Sequence, residues 1–249
     1  MADVPLYRDE AVVLRTHPLG EADRIITLLT KERGRIRAVA KGVRRTKSRF
    51  GARLEPFSHV DLQFAEGRTL DIVTQVESLD AFGDRLTANY PAYTAGQVML
   101  ETADRLVVEE GEPAVQQYQL LVGALKVLNR GTADGVRAPT MVLDSYLLRA
   151  LAVAGYAPSF SHCARCGVVG PHRAFSPAAG GAVCETCRPP GSSRPAPATM
   201  ELLGALLEGR WSDTREVPTP IGREASGITA AFVAWHLDRN LRSLAHVER

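Results

Sequence analysis

The sequence predicts an α+β protein, and three observations lead there. Over the first 80 residues apolar side chains recur at every second position, in short runs broken by turn residues. After about Leu79 the apolar period lengthens to three and four. All four cysteines then fall into two Cys-x-x-Cys pairs within one segment. The expected organisation is a β-domain over 1–80 and a helical domain over 81–249, with a metal module at about 160–190.

The strands are expected in this order. Val12 and Leu14 alternate with Val13 and Arg15 in a first strand, ending at the turn signal His17-Pro18-Leu19-Gly20. Arg24 to Leu29, rich in Ile25, Ile26 and Thr27, makes a second. After Gly34, Arg35 to Ala40 makes a third, with Ile36 and Val39 expected to face inward. Phe57 to Phe64 sets Val60, Leu62 and Phe64 on one face. The turn Ala65-Glu66-Gly67-Arg68 leads to a fifth strand, where Leu70, Ile72 and Thr74 oppose Asp71, Val73 and Gln75. Five short strands at this spacing favour a small closed barrel over a βαβ unit, an OB-fold first among the candidates.

Helices follow. The stretch after Pro91 to Val108 favours helix, as do Thr199 to Glu208 and Gly222 to Leu241. Val115, Tyr118, Leu121, Val122, Leu125 and Leu128 make an amphipathic helix ending near Asn129-Arg130-Gly131. Val142, Leu143, Tyr146, Leu147, Ala150, Leu151 and Ala154 repeat the pattern, with Gly155 as a C-terminal stop. These apolar stripes are read as core. The run from Pro189 to Pro197 reads as a loop.

The 249 residues are 45% apolar and 23% charged, the composition of an ordinary globular protein. No stretch approaches the roughly 18 apolar residues of a membrane span. Met1 to Glu10 lacks the pattern of a signal peptide, so a cytoplasmic location is expected. There, cysteines serve as metal ligands or free thiols rather than disulfides.

Cys163-Ala-Arg-Cys166 and Cys184-Glu-Thr-Cys187 are separated by 17 residues, the spacing of a four-cysteine zinc site. Gly167, Gly180 and Gly181 permit the tight turns such knuckles need. Four thiolates fill a tetrahedral Zn²⁺ and leave no position for water, so the expected role is structural. His162 and His172 are bystanders to that set. A zinc deaminase would carry His-x-Glu before a Pro-Cys-x-x-Cys. Here His246-Val247-Glu248 lies downstream and Val183 precedes Cys184. The chain also lacks HExxH, a Walker A loop and a GxSxG elbow. The reading is therefore not an enzyme.

Charge is distributed unevenly. Between Lys31 and Arg53 stand ten basic residues against the single acid Glu32. The remaining 20 basic and 27 acidic residues leave a formal −7. A cationic block on an otherwise acidic chain points to a polyanionic partner. Arg35 and Arg37 alternate with Ile36 and Ala38, so they share a barrel face. Lys41, Arg44, Arg45, Lys47 and Arg49 then read as a mobile polycationic loop suited to phosphates, with Phe50 placed to stack on a base. Nothing there suggests base-specific readout.

The segments Tyr7–Thr16, Leu19–Thr27, Gly34–Arg44 and Leu54-Glu-Pro-Phe57, with CxxC…CxxC in a helical second domain, resemble the bacterial RecO family. The resemblance covers essentially the whole chain and is most specific over residues 7–80. It implies a DNA repair protein: a recombination mediator that anneals strands without nucleotide, binds single- and double-stranded DNA, and acts in the cytoplasm at the nucleoid. It further implies RecR as partner, contact with the C-terminal tail of the single-stranded-DNA-binding protein, and a functional link to RecA. Many family members carry the zinc cysteines and others do not, which favours a structural role. That tail is acidic with an apolar end and needs a hydrophobic pocket with a cationic rim. Lys126 and Arg130, one turn apart, and Arg149 beside Leu147 and Leu148 are the expected cations. The alternative reading is an RNA-binding OB/zinc protein of the translation apparatus.

Overall fold

The computed structural model describes residues 4–237 and 241–248. Its elements are β1 (Leu6–Leu19), β2 (Asp23–Thr30), β3 (Gly34–Ala40), β4 (Ser58–Ala65), β5 (Asp71–Ala81), α1 (Phe82–Leu86), α2 (Tyr90–Leu106), α3 (Val115–Arg130) and α4 (Pro139–Val153). A short hairpin, β6 (Ala174–Ser176) and β7 (Gly181–Val183), precedes α5 (Pro197–Glu208) and α6 (Thr219–His236). Packing divides the chain into two units, Met1–Asn129 and Arg130–Arg249. Strand gives way to helix at residue 82, but α1 packs on β4 and α2 on β1, so the first packing unit runs well past the last strand.

In the first unit the strands close in the order β1-β2-β3-β5-β4, with β1 pairing β4 to complete the barrel. Neighbours are antiparallel except β3 and β5, which pair in parallel through Ala38↔Asp71 and Val39↔Ile72. This is an OB-like barrel. Its interior is filled by Ala11, Val13, Ile26, Leu28, Ile36, Val60, Leu62, Phe64 and Val73.

Three local expectations need correction. β1 does not turn at His17 but continues through Pro18, paired with Arg24, and reverses after Leu19, where Gly20 adopts φ +57. Val39 does not share the interior with Ile36. A strand repeats every two residues, so Ala38 and Ala40 take the inner positions while Val39 is only half-buried, opposite Ile25. Simple alternation also fails in β1, where Ala11, Val12, Val13 and Leu14 are all buried. The register shifts between Val13 and Arg15, and the outer face of β1 lies under α2. Val12 and Leu29 form an outward pair, as do Arg15 and Thr27, and Val12, Leu29 and Thr27 are buried too. The sheet face by which OB barrels commonly hold oligonucleotides is thus largely taken up by this chain's own packing.

Helix α2 begins at an Asn89 cap, whose Oδ1 accepts from the Ala92 amide at 3.1 Å. Gly96 lets it approach closely: a Cβ there would stand 2.8 Å from the Phe57 ring. His59, on β4, is buried with its Nε2 2.8 Å from Tyr118 Oη of α3, and Tyr118 donates to Glu10. Burial, with Lys126 adding to it, lowers the His59 pKa and favours the neutral ring.

In the second unit α4, α5 and α6 pack on one another. Ser145 Oγ donates to the Leu206 carbonyl at 2.7 Å, and Ser226 donates to Asp144. Gly155, at φ +92, follows the end of α4 as expected. α6 stops at His236, where Leu237 is extended; residues 238–240 of the expected helix to Leu241 lie outside the described residues. No helix among the described residues is long and apolar enough to cross a membrane.

Candidate metal centre and nucleic-acid interface

The metal centre is built on two knuckles. After the first pair, the Gly167 amide donates to Cys163 O at 2.8 Å and Gly167 takes φ +74. At the second, the Cys187 amide donates to Cys184 O at 3.1 Å. The β6–β7 hairpin carries the second pair toward the first. Gly181 is required there, since a Cβ would come 2.3 Å from Ser159 O. The four Sγ atoms lie within 4.8 Å of one another, and Cys166 Sγ is 3.9 Å from Cys184 Sγ. A tetrahedral ion with metal–sulfur bonds of about 2.3 Å needs edges of roughly 3.8 Å, so the donor set fits a soft four-coordinate metal. The Cys184 amide donates to Cys163 Sγ at 3.4 Å. That amide and the Cys166 amide hold the Cys163 thiol down at about 6, toward the thiolate a metal binds. His162 and His172 hydrogen-bond to Ser161 and to the Val168 carbonyl and stand outside the sulfur cluster.

The cationic block sorts into engaged and exposed groups. Lys41, Arg44, Arg45, Lys47 and Arg49 are exposed, and none of them makes an ion pair among the described residues. Their loop is tied to the barrel at its start and through its apolar residues. Its two apolar residues, Val43 and Phe50, sink into the barrel core. The Arg44 amide donates to Ala22 O at 2.9 Å, Arg44 Nη1 to Gly20 O at 3.1 Å, and the Gly42 amide to Asp23 Oδ1 at 2.7 Å. Phe50, expected to offer a stacking ring, is instead buried. Only 1% of it is exposed, with the Arg49 guanidinium 4.9 Å from its ring centroid.

Arg35 and Arg37 share the outer face of β3 as expected, yet neither is free. Arg35 donates to the carbonyls of Asp104 at 3.1 Å and Val108 at 2.7 Å, and lies 3.6 Å from carboxylate oxygens of both Asp104 and Glu110. Arg37 Nε is 2.9 Å from Glu110 Oε1. The residue that sequence reading missed is Glu110, in the run Glu109-Glu110-Gly111-Glu112 between α2 and α3. An acidic run in a chain with a basic block was the available signal. Lys126 is exposed on α3, Arg130 is exposed at its end, and Arg149 is half-buried in α4 near Gly209.

Two family models account for nearly all of the chain. One, described as Recombination protein O N terminal, matches residues 1–82; the other, Recombination protein O C terminal, matches residues 88–245. The chain belongs to the RecO family. It is 64% identical to a protein named DNA repair protein RecO from a Nocardioides species, over 98% of this chain and all of that one. It is 57% identical to proteins of the same name from Cutibacterium acnes and Streptomyces coelicolor, over 99% and 98% of this chain and 100% and 99% of theirs. The described geometry bears on what such a family member can do: one unit presents a loop with five exposed cations, and the other a cluster of four cysteine sulfurs that could hold a metal ion.

Proposed function

We propose that this chain serves DNA repair as a recombination mediator and strand-annealing protein, working without nucleotide hydrolysis, in the cytoplasm at the nucleoid. The barrel of residues 1–80 is the DNA-binding part; residues 81–249 carry a structural Zn²⁺ held by Cys163, Cys166, Cys184 and Cys187. The observation that carries the reading is the loop with five exposed cations, in a family whose relatives are named DNA repair proteins. Exposed cations contact phosphate without choosing among bases. They also screen the repulsion between two phosphate backbones, so that complementary strands can pair. RecR, RecA loading and the acidic tail of the single-stranded-DNA-binding protein belong to the same reading, with Lys126, Arg130 and Arg149 as the tail's cationic contacts.

The test is the salt dependence of binding to single-stranded DNA. With Lys41, Arg44, Arg45, Lys47 and Arg49 on phosphates, log K should fall against log salt with a slope of about −3.5, roughly a hundredfold loss between 50 and 200 mM. The variant Arg44→Ala/Arg45→Ala/Lys47→Ala should bind more weakly with a slope of about −1.4, roughly a sevenfold loss over that range. Wild-type affinity and slope in the folded triple variant would place the footprint elsewhere. A preference for folded RNA, or ATP hydrolysis abolished by a point mutation in this chain, would overturn the reading.

A further inference from the structure

The outer face of the β1–β2–β3 sheet carries a row of arginines, and its own chain neutralises them. The register sets Arg15 opposite Thr27 and Thr27 opposite Arg37, with Arg35 on the same face two residues away. Asp104, at the end of α2, pairs Arg15 at 2.9 Å and Arg35 at 3.6 Å. Glu110 pairs Arg37 at 2.9 Å and Arg35 at 3.6 Å. Asp104 belongs to a helix, but Glu110 does not. It lies on the strap joining α2 to α3, whose residues from Val108 to Pro113 are exposed. The strap meets β3 through the Gly111 amide, which donates to Arg35 O at 3.1 Å, and through the crossing over Gly34, where a Cβ would stand 1.9 Å from Glu112 O.

We propose that this strap is a built-in competitor of DNA. The Glu110 carboxylate stands where a phosphate would sit on Arg35 and Arg37, and single-stranded DNA bound to the neighbouring loop displaces it. A carboxylate and a phosphodiester present the same acceptor geometry to a guanidinium fork. The exposed Glu110 pairs are individually weak, so a polyanion already held by five adjacent cations can exchange with them. Glu109 and Glu112 add repulsion against a phosphate chain that has not displaced the strap. The consequence is graded: short or weakly held strands engage the loop alone, whereas longer ones also engage β3.

This inference rests on the DNA-binding reading above, and two measurements separate them. Hydrogen exchange should show the Gly111 amide losing protection when the full-length protein is saturated with a single-stranded oligonucleotide. Unchanged or increased protection there would overturn the strap. On an oligonucleotide short enough to engage only the loop in the wild type, Glu110→Gln should tighten binding about three- to tenfold and steepen the salt slope by about 1.4, the contribution of two further phosphate contacts. Glu216→Gln, an exposed acid of the second unit, controls for net charge and should leave both unchanged. Adding Arg37→Gln to Glu110→Gln should cancel the gain. Wild-type binding with the expected slope, alongside an indistinguishable Glu110→Gln, sinks the strap alone. Absence of DNA binding in both proteins sinks the reading beneath it as well.

Discussion

Chelation is expected to release one zinc per chain and to unfold the segment around the two knuckles while the barrel keeps its DNA affinity. The reason is the size of the local core. Around the sulfur cluster the buried residues are Cys163, Ala174 and Val183, with Ala179, Cys184 and Cys187 partly buried against them. Phe175 anchors the hairpin against Phe160 and Phe232, but so few apolar side chains on the sulfur side cannot hold the two knuckles without the metal. Structural zinc contributes on the order of 10–16 kcal/mol of apparent binding energy, comparable to the roughly 5–15 kcal/mol that stabilises a whole protein. Cys163→Ser should reproduce the effect, because Cys163 is the buried ligand that also accepts the Cys184 amide. Elemental analysis combined with limited proteolysis reads the outcome as new cleavage between Phe160 and Arg194. A folded protein that contains no zinc, or whose proteolysis is unaltered by complete chelation, would defeat the assignment.

Replacing Phe50 separates packing from base stacking. Its ring is among the largest fully buried side chains and belongs to the barrel core with Leu54, Val60 and Leu62. Phe50→Ala should cost about 3–5 kcal/mol of stability in the first unit. Phe50→Leu keeps an apolar anchor, so its cost should be smaller, and its affinity for single-stranded DNA should match the wild type. A stacking ring would behave oppositely, since losing a base–aromatic stack costs about 1–3 kcal/mol of binding. Chemical denaturation and a DNA titration on the same two variants decide between the roles. A stable Phe50→Leu protein with tenfold weaker binding would return Phe50 to the interface.

The contrast between Phe50 and its neighbours shows what sequence pattern can and cannot carry. β-branched composition located β2, alternation located β4, and the longer period located α3 and α4, because each signal is local to the element that bears it. The cysteine spacing likewise contains its own geometry. Phe50 stands alone in a charged run, with no periodic neighbour to reveal that the loop returns into the barrel. Burial of Ala11 through Leu14 on both faces depends on α2, which begins at Tyr90. The partner of Arg37 is Glu110, 73 residues away. Such contacts are products of topology, and a strand's own residues do not encode which acid will cross it.

The buried outer face of the barrel bears on how the chain can be made. Val12 and Leu29 point away from the barrel interior, yet both are fully buried. A polypeptide of residues 1–80 could close its strands but would leave these side chains to water, together with the buried Leu14 on the face α2 covers. Contiguous apolar surface of this kind drives association. During translation the same face stays uncovered until α2 has emerged, well after the last strand is complete. The piece ending at residue 80 should therefore be aggregation-prone, and one extended to Asn129 should be monomeric and cooperative in its unfolding. Size-exclusion chromatography of the two pieces would distinguish a self-sufficient barrel from one that matures only with its helices. The smallest heritable and tradable part of this chain is then not the five strands but the strands with their helical cover.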